Sequence, residues 1–264
     1  MITLQFFKYN MMLKTSLYIL FIFLFTASLA AQESASPKAF KIALGNNSVP
    51  WNWQEHNQHK GILIDIINEA LVSRMKIKVE LLFYPWKRAQ QMVKYNKADA
   101  LITNFTEERK IYSNAGEHYI TNIKRMIFVN KNDPLINDIA KAQSLKDLKM
   151  FTIGNNIGNP WAARVFKGYK IAWASSVSRA LKMLEKSRFN IFIGNSVATR
   201  YKLKQLNITN VVMLPNQLID IKASRYQLLI GKKSSYLHLL PEFDRTILAM
   251  KEDGSLQAIF DKYK

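Results

Sequence analysis

Two asparagines stand out for the chemistry they can do. The stretch "RAQQMVKYNKADALITN" (88–104) can be laid without a gap over "RALKMLEKSRFNIFIGN" (179–195), which brings Arg88 onto Arg179, Ala89 onto Ala180, Met92 onto Met183 and Asn104 onto Asn195. Both stretches run helix, charged turn, apolar strand, amide. Each is therefore expected to aim an asparagine from the tip of a strand, and a facing pair of carboxamides, which donate and accept, suits a polar ligand of either sign. Covalent chemistry finds less support. The chain has no cysteine and no G-x-S-x-G turn to expose a nucleophile. His56, His59, His118 and His238 have no metal-ligand spacing, and His56 and His59 fall in a polar loop. No metal or cofactor is implied.

The elements that must position these residues alternate in type. "FKIALG" (40–45) reads as a strand, "GILIDIINEALVSR" (61–74) as a helix, "KIKVELLFY" (76–84) as a strand, "KRAQQMVKY" (87–95) as a helix and "ADALITN" (98–104) as a strand. A βαβαβ series builds a parallel sheet, and such sheets hold ligands at the carboxyl ends of their strands. After the strand "RMIFVNK" (125–131), turn residues in "NDPLINDIAKAQS" mark a boundary. A second series follows, with the strand "MFTIG" (150–154), helical "NPWAARVFKGY" and "SVSRALKMLEKS", the strand "NIFIGN" and the return strand "YQLLIGK" (226–232). Two helices broken at Asp253-Gly254 end the chain. Two similar α/β lobes in succession are expected.

Composition bounds the setting. A chain of 264 residues that is 48% hydrophobic suits one large domain or two lobes of about 100 residues each. Its first residues carry Lys8 and Lys14 without an acid, then the apolar run "SLYILFIFLFTA", then small residues at Ser28 and Ala30. This is the pattern of a secretory signal peptide over 1–30, cut after Ala30, with Met1, Met11 or Met12 as the start. The apolar run is shorter than the roughly 20 residues a membrane span needs. Export without a single thiol fits a periplasmic protein that needs no disulfide and has no lipid-anchoring cysteine. Setting aside Lys8 and Lys14 leaves 36 basic residues against 19 acidic ones, a net charge of +17. That balance favours anionic partners or simply a well-solvated surface. The lysines are scattered, with no basic arm or zinc-finger spacing, so nucleic acid is not an expected partner.

The segments "KGILIDIINEAL", "YPWKRAQQMVKYNKADAL", "TEER" (106–109), "SLKDLKMFTIGNNIG" and "EDGSLQAIFDKYK" together resemble the family-3 extracellular solute-binding proteins, the receptors of polar amino-acid ABC importers. The resemblance implies a type II periplasmic-binding-protein-like fold, with two α/β lobes joined by two crossing hinge strands that close on a ligand. On that pattern the crossing strands are "RMIFVNK" and "YQLLIGK", the first lobe spans 38–126 and 231–264, and the second spans 127–230. The same resemblance implies the site. Arg109, with Thr106 before it, takes the place of the arginine that clamps a ligand carboxylate, a task suited to a planar guanidinium fork. Asn104 is the polar position just ahead of it. Trp51, with Trp53 in reserve, takes the place of the stacking aromatic, and Trp86, just ahead of the helix 87–95, is a further ligand-binding candidate. In "IGNNIGNP", Gly158 permits close approach, and Asn159 and Trp161 are the implied contacts beyond it. Pro160 suits a first helical turn.

One departure from that pattern bears on the ligand. Amino-acid receptors of this family usually carry an aspartate where this chain has Asn195, and its charge pairs with the ligand's ammonium. A charge-assisted hydrogen bond of roughly 1.5–3 kcal/mol is thereby lost. The expected ligand is accordingly a carboxylate, an acylated or peptide-like molecule or another anion, rather than a standard amino acid. The expected partners are that small molecule and either the permease of an ABC importer or a sensor kinase or chemoreceptor, the protein itself being monomeric. The fold also hosts a cyclohexadienyl dehydratase, for which Glu107, Glu108 and Glu117 are the available acids. No pair of them has catalytic spacing, and a binding protein rather than an enzyme is expected.

Overall fold

The structure is a computed structural model and describes residues 38–215 and 218–263. The expected signal peptide and its cleavage after Ala30 lie outside the described residues. Strand β1 (Phe40–Gly45) leads into a hairpin of β2 (Trp53–Glu55) and β3 (Gln58–Lys60). His56 and Asn57 form its turn with φ of 48° and 60°, the left-handed backbone that tight two-residue hairpins require. His59 lies flat on Phe83 with ring centroids 3.7 Å apart. The helix expected over 61–74 is α1 (Ile62–Ile67) continued as a π-helical segment, Asn68–Arg74. Then come β4 (Val79–Tyr84), α2 (Trp86–Lys94), β5 (Ala100–Asn104), the short α3 (Glu107–Lys110), β6 (Ser113–Ala115) and β7 (Thr121–Ile123).

The second series begins at β8 (Arg125–Asn130). It continues through α4 (Ile136–Ala140), β9 (Ile153–Asn156), α5 (Pro160–Val165), β10 (Ile171–Ala174), α6 (Val177–Glu185), β11 (Ile191–Asn195), α7 (Ser196–Gln205) and β12 (Val211–Met213). The chain closes with β13 (Ser224–Gly231), α8 (Leu240–Glu252) and α9 (Ser255–Asp261), the last two separated by Gly254 at φ 77°.

The strands form two sheets of matching plan. The first runs β4-β1-β5-β13-β6, with β7 also paired to β13, and the second runs β10-β9-β11-β8-β12. In each, a central strand has a parallel neighbour on either side and antiparallel strands close one edge. Alternation along the strands builds a core on both faces. Phe40, Ile42 and Leu44 of β1 face the cluster filled by α1, α8 and α9, while Ala43 faces the other way, where Ala89 and Val93 of α2 pack close. In the second sheet Ile127, Val129, Ile191 and Ile193 share one face, and Met126, Phe128 and Phe192 meet Leu181 and Leu184 of α6 on the other.

The two expected hinge strands are each a full member of one sheet. "RMIFVNK" supplies β8 of the second sheet. "YQLLIGK" supplies β13 of the first, where Tyr226 to Ile230 pair in register with Asn104 to Ala100. The chain crosses between sheets at Lys124, between β7 and β8, and again ahead of β13. Strand pairing decides this, because a strand cannot hydrogen-bond along its length in one sheet while bridging to another. The C-terminal helices return to the first lobe, with Phe243, Ile247, Met250, Leu256 and Ile259 in its core. No helix among the described residues is long and apolar enough to cross a membrane.

A charged tie secures that return. The Asp253 carboxylate accepts from the Ser255 backbone N–H at 2.9 Å and from Arg74 Nη1 at 2.7 Å. Hydrogen bonds from Ser255 and then Arg74 hold the Asp253 carboxyl down at about 2, against an ordinary 3.8. A carboxyl with the lower pKa in the folded form stabilises fully above its unfolded pKa, and that contribution is lost as pH falls through the folded value. Equilibrium unfolding followed down through pH 3.8 to about 2 is expected to show a shallower loss of stability in Ser255→Ala than in the wild type. Parallel curves for the two proteins would remove Asp253 from the acid response.

Candidate ligand-binding cleft

A cavity of about 280 Å³ opens at the carboxyl ends of β1 and β5, where the strand order of the first sheet reverses. Open α/β sheets leave a crevice at such a switch point because the connections depart in opposite directions. Its wall brings together Trp51, Trp86, Asn104 and Arg109. Tyr226, opposite Asn104 in the strand register, completes it with Asn46, Ser48 and Asn52. Trp51 is buried, and its ring packs on Tyr226 at 5.4 Å and on Phe260 at 6.4 Å.

Arg109 is the one charged side chain in this wall and is 9% exposed. It is held from three sides. Nη1 donates to the carbonyl oxygen and to Oδ1 of Asn104, both at 2.9 Å, Nε and Nη2 donate to Gln90 Oε1 at 3.1 and 3.0 Å, and the Trp86 ring lies 5.4 Å from the guanidinium carbon. These contacts fix the guanidinium plane and occupy four of its five N–H donors. Thr106 works one step back. Its Oγ1 caps α3 by accepting from the Arg109 backbone N–H at 3.4 Å.

In the second lobe the face that carries Ile193 and Ile127 ends on a cross-strand pair, Asn195 of β11 opposite Arg125 of β8. The Asn195 carboxamide oxygen caps α7 by accepting from Ala198 N at 3.0 Å, so its N–H donors are what remains to offer. The Arg125 guanidinium lies over the Trp161 ring, 4.4 Å from its centroid. Burial, together with the nearby Arg164 charge, pulls Arg125 below the ordinary arginine range, and Tyr226 acts the other way. Burial raises the Tyr226 hydroxyl, with Arg125 and Arg109 both opposing the rise. Tyr226 thus feels both guanidinium groups, one from each lobe.

Two expected contacts stand apart from this constellation. Gly158, at φ 81°, and Asn159 border a separate surface recess with Ile157 and Trp173. The Asn159 amide is engaged within the fold, donating to the buried Asn155 Oδ1 at 2.9 Å and accepting from Ala162 N at 3.2 Å. Ala163 N bonds the Asn159 carbonyl, so the N–H groups of Ala162 and Ala163 in the first turn of α5 are already satisfied. Trp53, the reserve aromatic, sits where the lobes meet, 6.1 Å from Tyr201 of α7 and 6.0 Å from Tyr263.

Gln90, Arg125 and Tyr226 were not expected from the sequence. Gln90 and Tyr226 sit on elements whose positions relative to Arg109 and Asn104 depend on packing. Arg125 left a local signal, a charged residue heading the apolar strand "MIFVN".

Two α/β lobes of matching strand order, between which the chain passes twice, with a polar cleft at the switch point of the first, define a type II periplasmic-binding-protein fold. Among solved structures the chain is similar to substrate-binding domain 2 of GlnP from Lactococcus lactis in its open conformation, at 22% identity over 87% of this chain and 97% of that one, with a TM-score of 0.67. It is similar to the second substrate-binding domain assigned to an amino acid ABC transporter of Streptococcus pneumoniae, at 20% identity over 85% and 99% of the two chains and a TM-score of 0.65. A histidine kinase sensor domain with similarity to periplasmic binding proteins also resembles it, at 18% identity over 86% and 96% and a TM-score of 0.60. No curated protein sequence matches the chain. The model of the bacterial extracellular solute-binding proteins, family 3, matches residues 40–264, and the chain belongs to that family of solute-binding proteins.

Proposed function

We propose that the protein is a periplasmic receptor that holds a small anionic ligand between its lobes and delivers it to the permease of an ABC importer. The observation that carries this reading is the charge of the cleft. Its first-lobe wall contains the Arg109 guanidinium and no carboxylate, and in the second lobe Asn195 stands where an ammonium-pairing acid would be needed. Arg109 and the Asn104 amide receive the anionic group, Trp51 and Trp86 bound its apolar part, and Asn195 donates from the opposite side. Thr106 and Trp161 support these groups from behind.

Isothermal calorimetry on the purified protein tests this. Carboxylates without an amine are expected to bind more tightly than free amino acids, and Asn195→Asp is expected to weaken them, by roughly tenfold or more, through like-charge repulsion. Aspartate caps a helix as well as asparagine, so this variant keeps α7. Tight binding of a free amino acid with Asn195→Asp indifferent would sink the proposal.

A sensing role draws support from the likeness to the histidine kinase sensor domain. Loss of cellular uptake of the ligand on deleting the gene speaks for import. Unchanged uptake with a lost transcriptional response speaks for sensing.

A further inference from the structure

We propose that Arg125, stacked on Trp161, is a second anion-binding group facing the cleft from the second lobe, and that the ligand therefore carries two anionic groups, as an α,ω-dicarboxylate does. The proposal rests on the reading of the cleft as an anion site and goes one step beyond it. In that reading the second lobe merely lacks a negative charge. The geometry around Arg125 reverses the sign, offering a positive charge there.

Three observations place the subsite. Arg125 and Asn195 are paired across β8 and β11, so their side chains leave the same face of the sheet at adjacent positions. An anion that meets the Arg125 fork is thereby within reach of the free N–H donors of Asn195. The guanidinium carbon lies over the Trp161 indole, 4.4 Å from the ring centroid. A cation–π contact does not consume the N–H groups, so a carboxylate can meet two of them. Among the described residues no ion pair and no side-chain hydrogen bond is made by Arg125, and its nearest electrostatic neighbours are Tyr226 and Arg164. A half-buried guanidinium beside another cation, without a carboxylate, is held at a cost that an incoming anion relieves. Arg109 differs, because Gln90 and Asn104 already take most of its donors.

The test compares chain-matched probes by calorimetry on the wild type and on Arg125→Gln. Succinate, glutarate and adipate are set against butyrate, valerate and caproate. In the wild type the best-fitting dicarboxylate is expected to bind roughly tenfold to a hundredfold more tightly than its monocarboxylate, the value of one further charge-assisted contact. Arg125→Gln is expected to erase that advantage, so that each dicarboxylate binds no more tightly than its chain-matched monocarboxylate. Thermal unfolding of the variant near the wild-type temperature shows that the loss is local. A wild type that does not favour dicarboxylates, or an advantage that survives in Arg125→Gln, overturns the second site and leaves the anionic reading standing. If only free amino acids bind, both fall together.

Discussion

Replacing Arg109 with alanine is expected to abolish detectable ligand binding and to lower the stability of the protein by about 2–3 kcal/mol. The two effects share a cause. The guanidinium is 9% exposed and joins α2 to the tip of β5 by bonding Gln90 and Asn104. Truncation leaves the half-buried Gln90 and Asn104 acceptors facing a gap, and acceptors that lose a charged donor carry part of their desolvation cost. The lost contact with an anionic ligand adds to this and lowers affinity by two orders of magnitude or roughly so. Arg109→Lys separates the roles. It keeps the charge but has no planar fork to serve Gln90 and Asn104 together, so it is expected to recover only a small part of either property. Urea unfolding and calorimetry on the two variants read the outcomes. A variant that is destabilised yet binds with wild-type affinity would make Arg109 a structural brace and move the ligand site elsewhere.

The second large effect lies far along the chain from the cleft. Phe243→Ala in α8 is expected to destabilise the protein by about 3–5 kcal/mol, a large part of the total for a domain of this size. Phe243 is 1% exposed and packs in one cluster with Phe40 and Ile42 of β1 and Ile62 of α1. Its removal opens a cavity under the central strand of the first sheet, and Gly45, which ends that strand, and Asn46, which follows it, belong to the cleft wall. The urea midpoint is expected to fall with the slope unchanged, since the helix unfolds with the lobe rather than separately. A second, earlier transition attributable to the C-terminal helices would show instead that they form a detachable appendage.

Much of the molecule was legible from local pattern. The alternation in "FKIALG" and "NIFIGN" marks strands with two different faces, and the helix-strand units ending on Asn104 and Asn195 reappear as α2-β5 and α6-β11. Signals that involve few residues were weaker. The strand β10 (Ile171–Ala174) and the helix α7 behind Asn195 were not foreseen, the first because it is short and the second because its apolar residues, Val197 and Leu203, are few among lysines and other polar groups. The turn "IGNNIGNP" leads into a helix, as its glycine and proline imply. Asn159 spends both ends of its side chain on Asn155 and Ala162, a local engagement that residue type alone does not reveal.

The two-lobe plan, the strand-tip asparagines and the excess of positive charge are legible in the residues alone, because each follows from residue type and from periodicities that a short window contains. Which sheet β13 joins, and with it the place of Tyr226 beside Asn104, comes only from tertiary packing. Packing also decides that Gln90 holds Arg109 and that Trp161 carries Arg125. Those outcomes depend on pairings such as Asn104 with Tyr226 and Arg125 with Asn195. Their partners are distant in sequence, so their energies exist only once two sheets have assembled and brought unrelated segments to a common edge.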